Sequence, residues 1–138
     1  MAEGEGTYTL VVEVPEPLVI EVGALGPVQF DAGWYAYTGS AFGPGGFSRI
    51  DRHRSLADGE TDTRHWHIDY LLGEPTTDLE VVFTTPDRDV ECAVSERIEG
   101  RRIDDFGASD CACPSHLVFG ERRDRLLASV ERAHDRAG

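Results

Sequence analysis

The sequence contains no lysine: its 13 basic side chains are all arginine, set against 26 aspartates and glutamates for a formal charge of −13. An acidic excess of this size fits a protein kept soluble where salt screens self-repulsion, since the Debye length at 1 M is about 3 Å. The expected setting is the cytoplasm of a halophile, the plainer alternative being an acidic mesophilic domain encoded by GC-rich DNA. Acidity alone argues against a nucleic-acid partner, because basic patches supply most of that affinity. At high salt the argument loses its force.

Other absences narrow the class further. There is no run of eighteen apolar residues and no apolar stretch near the first residues, so neither a membrane-spanning helix nor a secretory leader is expected. Three cysteines, an odd number without Cys-x-x-Cys, favour reduced thiols or metal ligation over a disulfide framework. No Gly-Lys-Ser loop cradles a phosphate; Gly43-Pro44-Gly45-Gly46 lacks the lysine and reads as a turn. No internal repeat is visible. The 138 residues suit one domain that buries roughly two thirds of its unfolded surface.

The pattern of what is present predicts α+β. Residues 7–14 alternate as a strand bounded by Pro15 and Pro17, 18–22 form a second short strand, 23–27 a turn, and 28–39 a longer strand carrying Trp34, Tyr35 and Tyr37. Tyr35 and Tyr37 then share a face. Residues 47–56 read as a helix in which Arg49, Arg52 and His53 come together at spacings of three and four. The stretch 63–72 fits both periods and is assigned to a short helix capped by Asp62 or Thr63 and ended by Gly73. A strand follows over 79–84, then a helix over 90–99 capped by Asp87 or Asp89, an irregular stretch over 100–115, and a short strand over 117–119. An amphipathic helix closes the chain within 121–138, with Leu126, Leu127, Val130 and Ala133 on one side. Residues 1–5 are expected to be a flexible start.

Tyr8, Tyr37-Thr38-Gly39 and the run Arg49 to His53 suggest a phosphodiester-cutting site. Such a site needs phenols to handle a water proton, a guanidinium to grip phosphate oxygens and a carboxylate to seat a cation. Arginine makes the bidentate phosphate contact that lysine does not. The region 33–56, with Arg49, Arg52 and Arg54 against Asp51, is the most basic stretch and the expected DNA-docking surface, with Trp34 or Tyr35 as stacking platforms.

In this order the motifs resemble the GIY-YIG nuclease superfamily, and more narrowly its archaeal Uri-type branch, which shares Tyr37-Thr38-Gly39-Ser40-Ala41, His65-Trp66-His67-Ile68-Asp69-Tyr70 and Ser109-Asp110-Cys111-Ala112-Cys113. The resemblance runs from Gly6 to Phe119. It implies a small antiparallel sheet flanked by helices, and a hydrolytic endonuclease acting on branched or damaged DNA with magnesium or manganese. By position it makes Tyr8, Tyr37, Arg49, His53 and Glu91 catalytic, Glu91 the metal ligand, and Gly39, Ser40, Arg52, His65 and His67 the substrate-binding set. Either tyrosine serves as base, and His53 relays the proton or orients a phenol. Thr7 and Thr38 replace the isoleucines of the motif at positions that mainly pack. The longer spacing between the tyrosines implies an extra β element in the first hairpin, and the asparagine that often follows the glutamate helix has no counterpart.

Each residue also has a bland reading: tyrosine is common in strands, Arg49 and Arg52 suit a solvated helix face, and a first-turn glutamate complements the helix dipole. His65 and His67 suit a hydrogen-bonded pair beside Trp66. Cys111-x-Cys113-x-x-His116 with Cys92 offers four soft zinc ligands, or else a turn of small residues. The non-enzymatic alternative is a nucleic-acid-binding or zinc-stabilised accessory module.

Overall fold

The computed structural model describes residues 4–41, 46–60, 67–74, 76–88, 90–103 and 116–137, apart from the side chains of Ala24, His67, Glu91 and Ala137. Strand β1 (Gly6–Val14) lies in the middle of a sheet. It pairs antiparallel with β4 (Gly33–Ala41) on one side and β5 (Asp78–Pro86) on the other. Strand β7 (Leu117–Gly120) extends β4, and the two-residue β6 (Arg101–Arg102) closes the order β5-β1-β4-β7-β6. A separate ribbon of β2 (Leu18–Glu21) and β3 (Pro27–Phe30) fills the β1–β4 connection. This is the expected α+β architecture, extra β element included.

Nearly every residue of β1 is buried, because helices cover both faces of the sheet. On the front, Tyr8, Leu10, Val12 and Val14 join Tyr35 and Tyr37 of β4 against α1 (Ser48–Ala57) and α2 (His67–Leu72). On the back, Val11, Ala36 and Val118 meet Val94 and Ile98 of α3 (Glu91–Arg97) and Leu126, Val130 and Ala133 of α4 (Arg123–Ala137). The period-two alternation of strand side chains thus sorts one strand's residues into two cores. Tyr35 and Tyr37 share a face as expected.

Several expectations change. The run 28–39 is broken at Asp31 and Ala32, because β3 pairs with β2 and β4 with β1, so one straight strand would have to serve two sheets. The Tyr35 phenol closes the bend by donating to the Asp31 carbonyl at 2.8 Å. Residues 67–72 are helical, ended as expected at Gly73, whose amide donates to the Asp69 carbonyl at 3.0 Å. The proposed caps Asp62 and Thr63 lie outside the described residues. Helix α3 is preceded by Val90 and has no side-chain cap of its own, so Asp87 is not the cap; Asp89 lies outside the described residues. Instead Thr7 of β1 takes the Val90 amide on its hydroxyl oxygen at 2.9 Å and donates to the Arg88 carbonyl at 2.8 Å. Gly4 and Glu5, expected to be loose, accept backbone bonds from Phe47 and Asp87.

Cys92 is disulfide-bonded, which overturns the expectation of reduced thiols and removes Cys92 from the proposed zinc ligands. Proximity in the fold, which chain spacing does not report, decides such pairing. Cys111 and Cys113 lie outside the described residues. Among the described residues no helix is long and apolar enough to cross a membrane.

Candidate functional site

The register places Tyr8 directly across from Gly39. A Cβ at Gly39 would lie 2.7 Å from the Cζ and hydroxyl oxygen of Tyr8 and 3.2 Å from Cε2 of Tyr37. Two phenol rings therefore lean over one glycine from adjacent strands. The close approach, and no unusual backbone angle, is what requires the missing side chain.

Helix α1 crosses above them. Arg49 donates from Nη1 to the carbonyl of Ser40, the residue after Gly39. One turn further, His53 sits with Nε2 2.8 Å from the Tyr8 hydroxyl. Arg52 reaches across to α2, its Nη1 and Nη2 lying 3.3 and 3.2 Å from the two carboxylate oxygens of Asp69. Asp69 Oδ1 also lies 3.7 Å from His53 Nδ1. The result is a chain from Tyr8 through His53 to Asp69, with Arg52 fixing the acid from the far side.

Burial pushes the His53 imidazole down to about 4, Asp69 opposing the shift and Arg52 and Arg49 adding to it. The ring is neutral at pH 7. At 3.7 Å the Asp69 carboxylate makes an electrostatic contact with His53 Nδ1 and no hydrogen bond; with the proton on that nitrogen, the tautomer that an acceptor-only carboxylate favours, Nε2 accepts from Tyr8. Tyr8 is 2% exposed, while His53 and Asp69 are fully buried. Buried His116 lies edge-on to Tyr37, with ring centroids 6.4 Å apart, and its carbonyl accepts the Thr38 amide. Burial lowers the His116 pKa as well.

The back of the same strands is also polar. Thr9 bonds Thr38 at 3.0 Å and His134 Nε2 at 2.7 Å, and Thr85 bonds His134 Nδ1 at 2.7 Å. Burial pushes His134 down to about 4, with Asp135 opposing. Thr7 and Thr38, read as packing substitutes for isoleucine, are fully buried and in addition spend their hydroxyls on hydrogen bonds, part-buried for Thr7 and buried for Thr38.

The structure therefore gathers Tyr8, Tyr37, Gly39, Arg49, Arg52 and His53 on the front face; Ser40 contributes only its carbonyl there, since it alternates to the back with Thr38. Glu91 opens α3, which packs against the back, and its backbone follows the residue tied to Thr7 at the Tyr8 end of β1. The Glu91 side chain, the His67 side chain and all of His65 lie outside the described set. Tyr35 is fully buried and its phenol is held above its usual pKa, first by burial and then by the charge of Asp31, so it is not the stacking platform expected. Sequence reasoning missed Asp69; the available signal was one acid inside the apolar run Ile68, Tyr70, Leu71 and Leu72.

Magnesium requires carboxylate oxygens with room for water. The described residues do not supply that at the phenols, because Asp69 is buried and both its oxygens face Arg52. The described group able to converge on an ion, Glu13, Asp78 and Glu80, lies at the opposite end of β1, and Glu80 is paired with Arg123 at 3.7 Å.

Fold and site together define an α+β domain whose central strand carries a phenol, imidazole and carboxylate chain on one face and a threonine and histidine network on the other. The chain belongs to the family described as Domain of unknown function DUF123, whose model matches residues 7–138. No curated protein and no solved structure matches it.

Proposed function

We propose that the chain is a GIY-YIG-type endonuclease of the archaeal Uri-type branch, hydrolysing phosphodiester bonds of structured DNA in a high-salt cytoplasm. The observation that carries this reading is the 2.8 Å contact between the Tyr8 hydroxyl and a neutral His53 imidazole. A phenol that donates to an imidazole has a place to send its proton as it takes one from water. The attacking water then gives hydroxide to phosphorus as the bond from phosphorus to the leaving nucleoside oxygen breaks; Tyr8 receives the water proton, the original phenol proton moves to Nε2, and the leaving oxygen takes a proton from solvent water. Asp69 steadies the imidazolium. An imidazole with a pKa near 4 is a weak base at neutral pH, and its hold on the proton is helped by the negative charge that arrives with a bound phosphate.

Arg49 at the Ser40 carbonyl supplies the guanidinium for a phosphate oxygen, and Tyr37 shares the glycine floor. From α3 on the back of the sheet, Glu91 would have to reach round the Tyr8 end of β1 to hold the magnesium or manganese ion, which would offset charge on the phosphate and leaving oxygen. No proton transfer above runs through that ion.

The near-complete burial of Tyr8, His53 and Asp69 favours a second reading, a nucleic-acid-binding accessory module that keeps the constellation as structure. Incubating supercoiled and branched DNA with the protein, magnesium and molar KCl separates the two. Wild type is expected to nick it, with Tyr8→Phe slower by roughly 100-fold or more and Glu91→Gln similarly impaired. Cutting by neither wild type nor variants would sink the nuclease reading.

A further inference from the structure

At the opposite end of β4 from the phenols, where Trp34 pairs with Gly120, a cleft of about 830 Å³ opens between the β6–β7 edge and the exposed side of α4. Its charged lining is Arg101, Arg122, Arg125 and Arg132 against Glu99 and Glu121, so arginine outnumbers acid there in a protein whose net charge is −13. Arg101 pairs with Asp31 at 2.9 Å and Arg132 with Glu99 at 3.0 Å, both through side chains more than half exposed to solvent. Ion pairs of that kind are weak and easily exchanged for another anion. The guanidinium groups of Arg122 and Arg125 have no hydrogen-bond or ion-pair partner among the described residues.

Spacing adds to the charge. Arg122, Arg125 and Arg132, at i, i+3 and i+10, fall on one side of the α4 axis, with Ala128 between them leaving the groove open. Arg125 and Arg132 are separated by roughly 10 Å of helix rise. Arg101 lies over the Phe119 ring, 5.0 Å from its centroid, which orients that guanidinium without neutralising it. A row of planar forks on an otherwise acid surface suits a repeating anion better than a single one.

We infer that this arginine-lined cleft binds the phosphate backbone of a nucleic-acid strand, as a contact separate from the phenol site. Along β4 the cleft end at Trp34 and Gly39 are roughly 17 Å apart, from the rise of five strand residues. The cleft would contribute affinity while the phenol site, on the other face of the sheet from α4, contributes chemistry. The use made of the cleft rests on the nuclease reading; the binding does not.

The test is fluorescence anisotropy of a labelled oligonucleotide on the full chain, in EDTA so that cutting is irrelevant, across the lowest KCl range in which circular dichroism shows the native fold. Arg122→Ser/Arg125→Ser is expected to weaken binding about tenfold and to flatten the slope of log K against log salt by about two phosphate contacts. Glu121→Gln, which removes an opposing charge, is expected to tighten it. Tyr8→Phe should bind like wild type even if it does not cut. Unchanged affinity in both cleft variants would overturn the inference. So would full displacement of the oligonucleotide by inorganic phosphate at equal phosphate concentration, which would mark a small-anion site.

Discussion

Gly39 holds the phenols together by having no side chain. Because a methyl group there would sit 2.7 Å from the Tyr8 ring, Gly39→Ala must push Tyr8 away from the strand and stretch its bond to His53. Overpacking of this sort costs about 1 to 3 kcal/mol, and a denaturant midpoint lowered by that amount, with loss of any nuclease activity, is the expected result. A midpoint equal to wild type would mean that the rings move aside freely. Most of the front face was legible from residue types: Tyr8, Tyr37, Gly39, Arg49, Arg52 and His53 all gather there. Asp69 was not, because one acid in an apolar stretch stands out without naming its partners, which come only when α2 is docked on α1.

Among elements, the least expected contact is the strand-to-helix tie made by Thr7. Its hydroxyl both accepts from Val90 and donates to Arg88, fixing where α3 begins. Thr7→Val keeps the shape and leaves a part-buried amide unsatisfied, a loss of about 1 to 3 kcal/mol. Hydrogen exchange should show it as lower protection of the first amides of α3, with β4 and β7 unchanged; protection lost evenly across the chain would contradict a local tie. Chain order and element type were readable because the apolar periods are clear in the middle strands and in α4. The start of α3, the break at Asp31 and the two-residue β6 depend on partners distant in sequence. The choice of face for α3 likewise came only with the packing of Val94 and Ile98 against Val11 and Ala36.

For the whole molecule, two buried histidines tie stability to pH. His53 and His134 are both held near 4, below their ordinary 6.5. As pH falls through 6.5 the unfolded chain takes up protons that the native state refuses, so stability declines between about pH 6.5 and 4 and is insensitive to these groups above that window. The contribution is of order 3 kcal/mol per histidine. Urea midpoints at neutral pH and about pH 5 should differ less in His134→Gln than in wild type; an equal difference would remove His134 as a cause and leave His53 and the carboxylates. The acidic surface adds a salt dependence of the opposite kind, with the melting temperature expected to climb as KCl enters the molar range, and a flat response would point to an ordinary acidic domain. The β2–β3 ribbon stands apart from both effects. It hangs from the end of a ladder that begins at Val14 and Gly33, while Tyr8 and Gly39 are aligned near the other end, and Gly26 at its turn faces open space. An epitope or fluorophore spliced in at Gly26 would therefore sit far from the phenols, giving a handle for imaging or immobilisation that costs the turn its Gly26 bonds to Val22 and Gly23 and leaves the β1–β4 ladder alone.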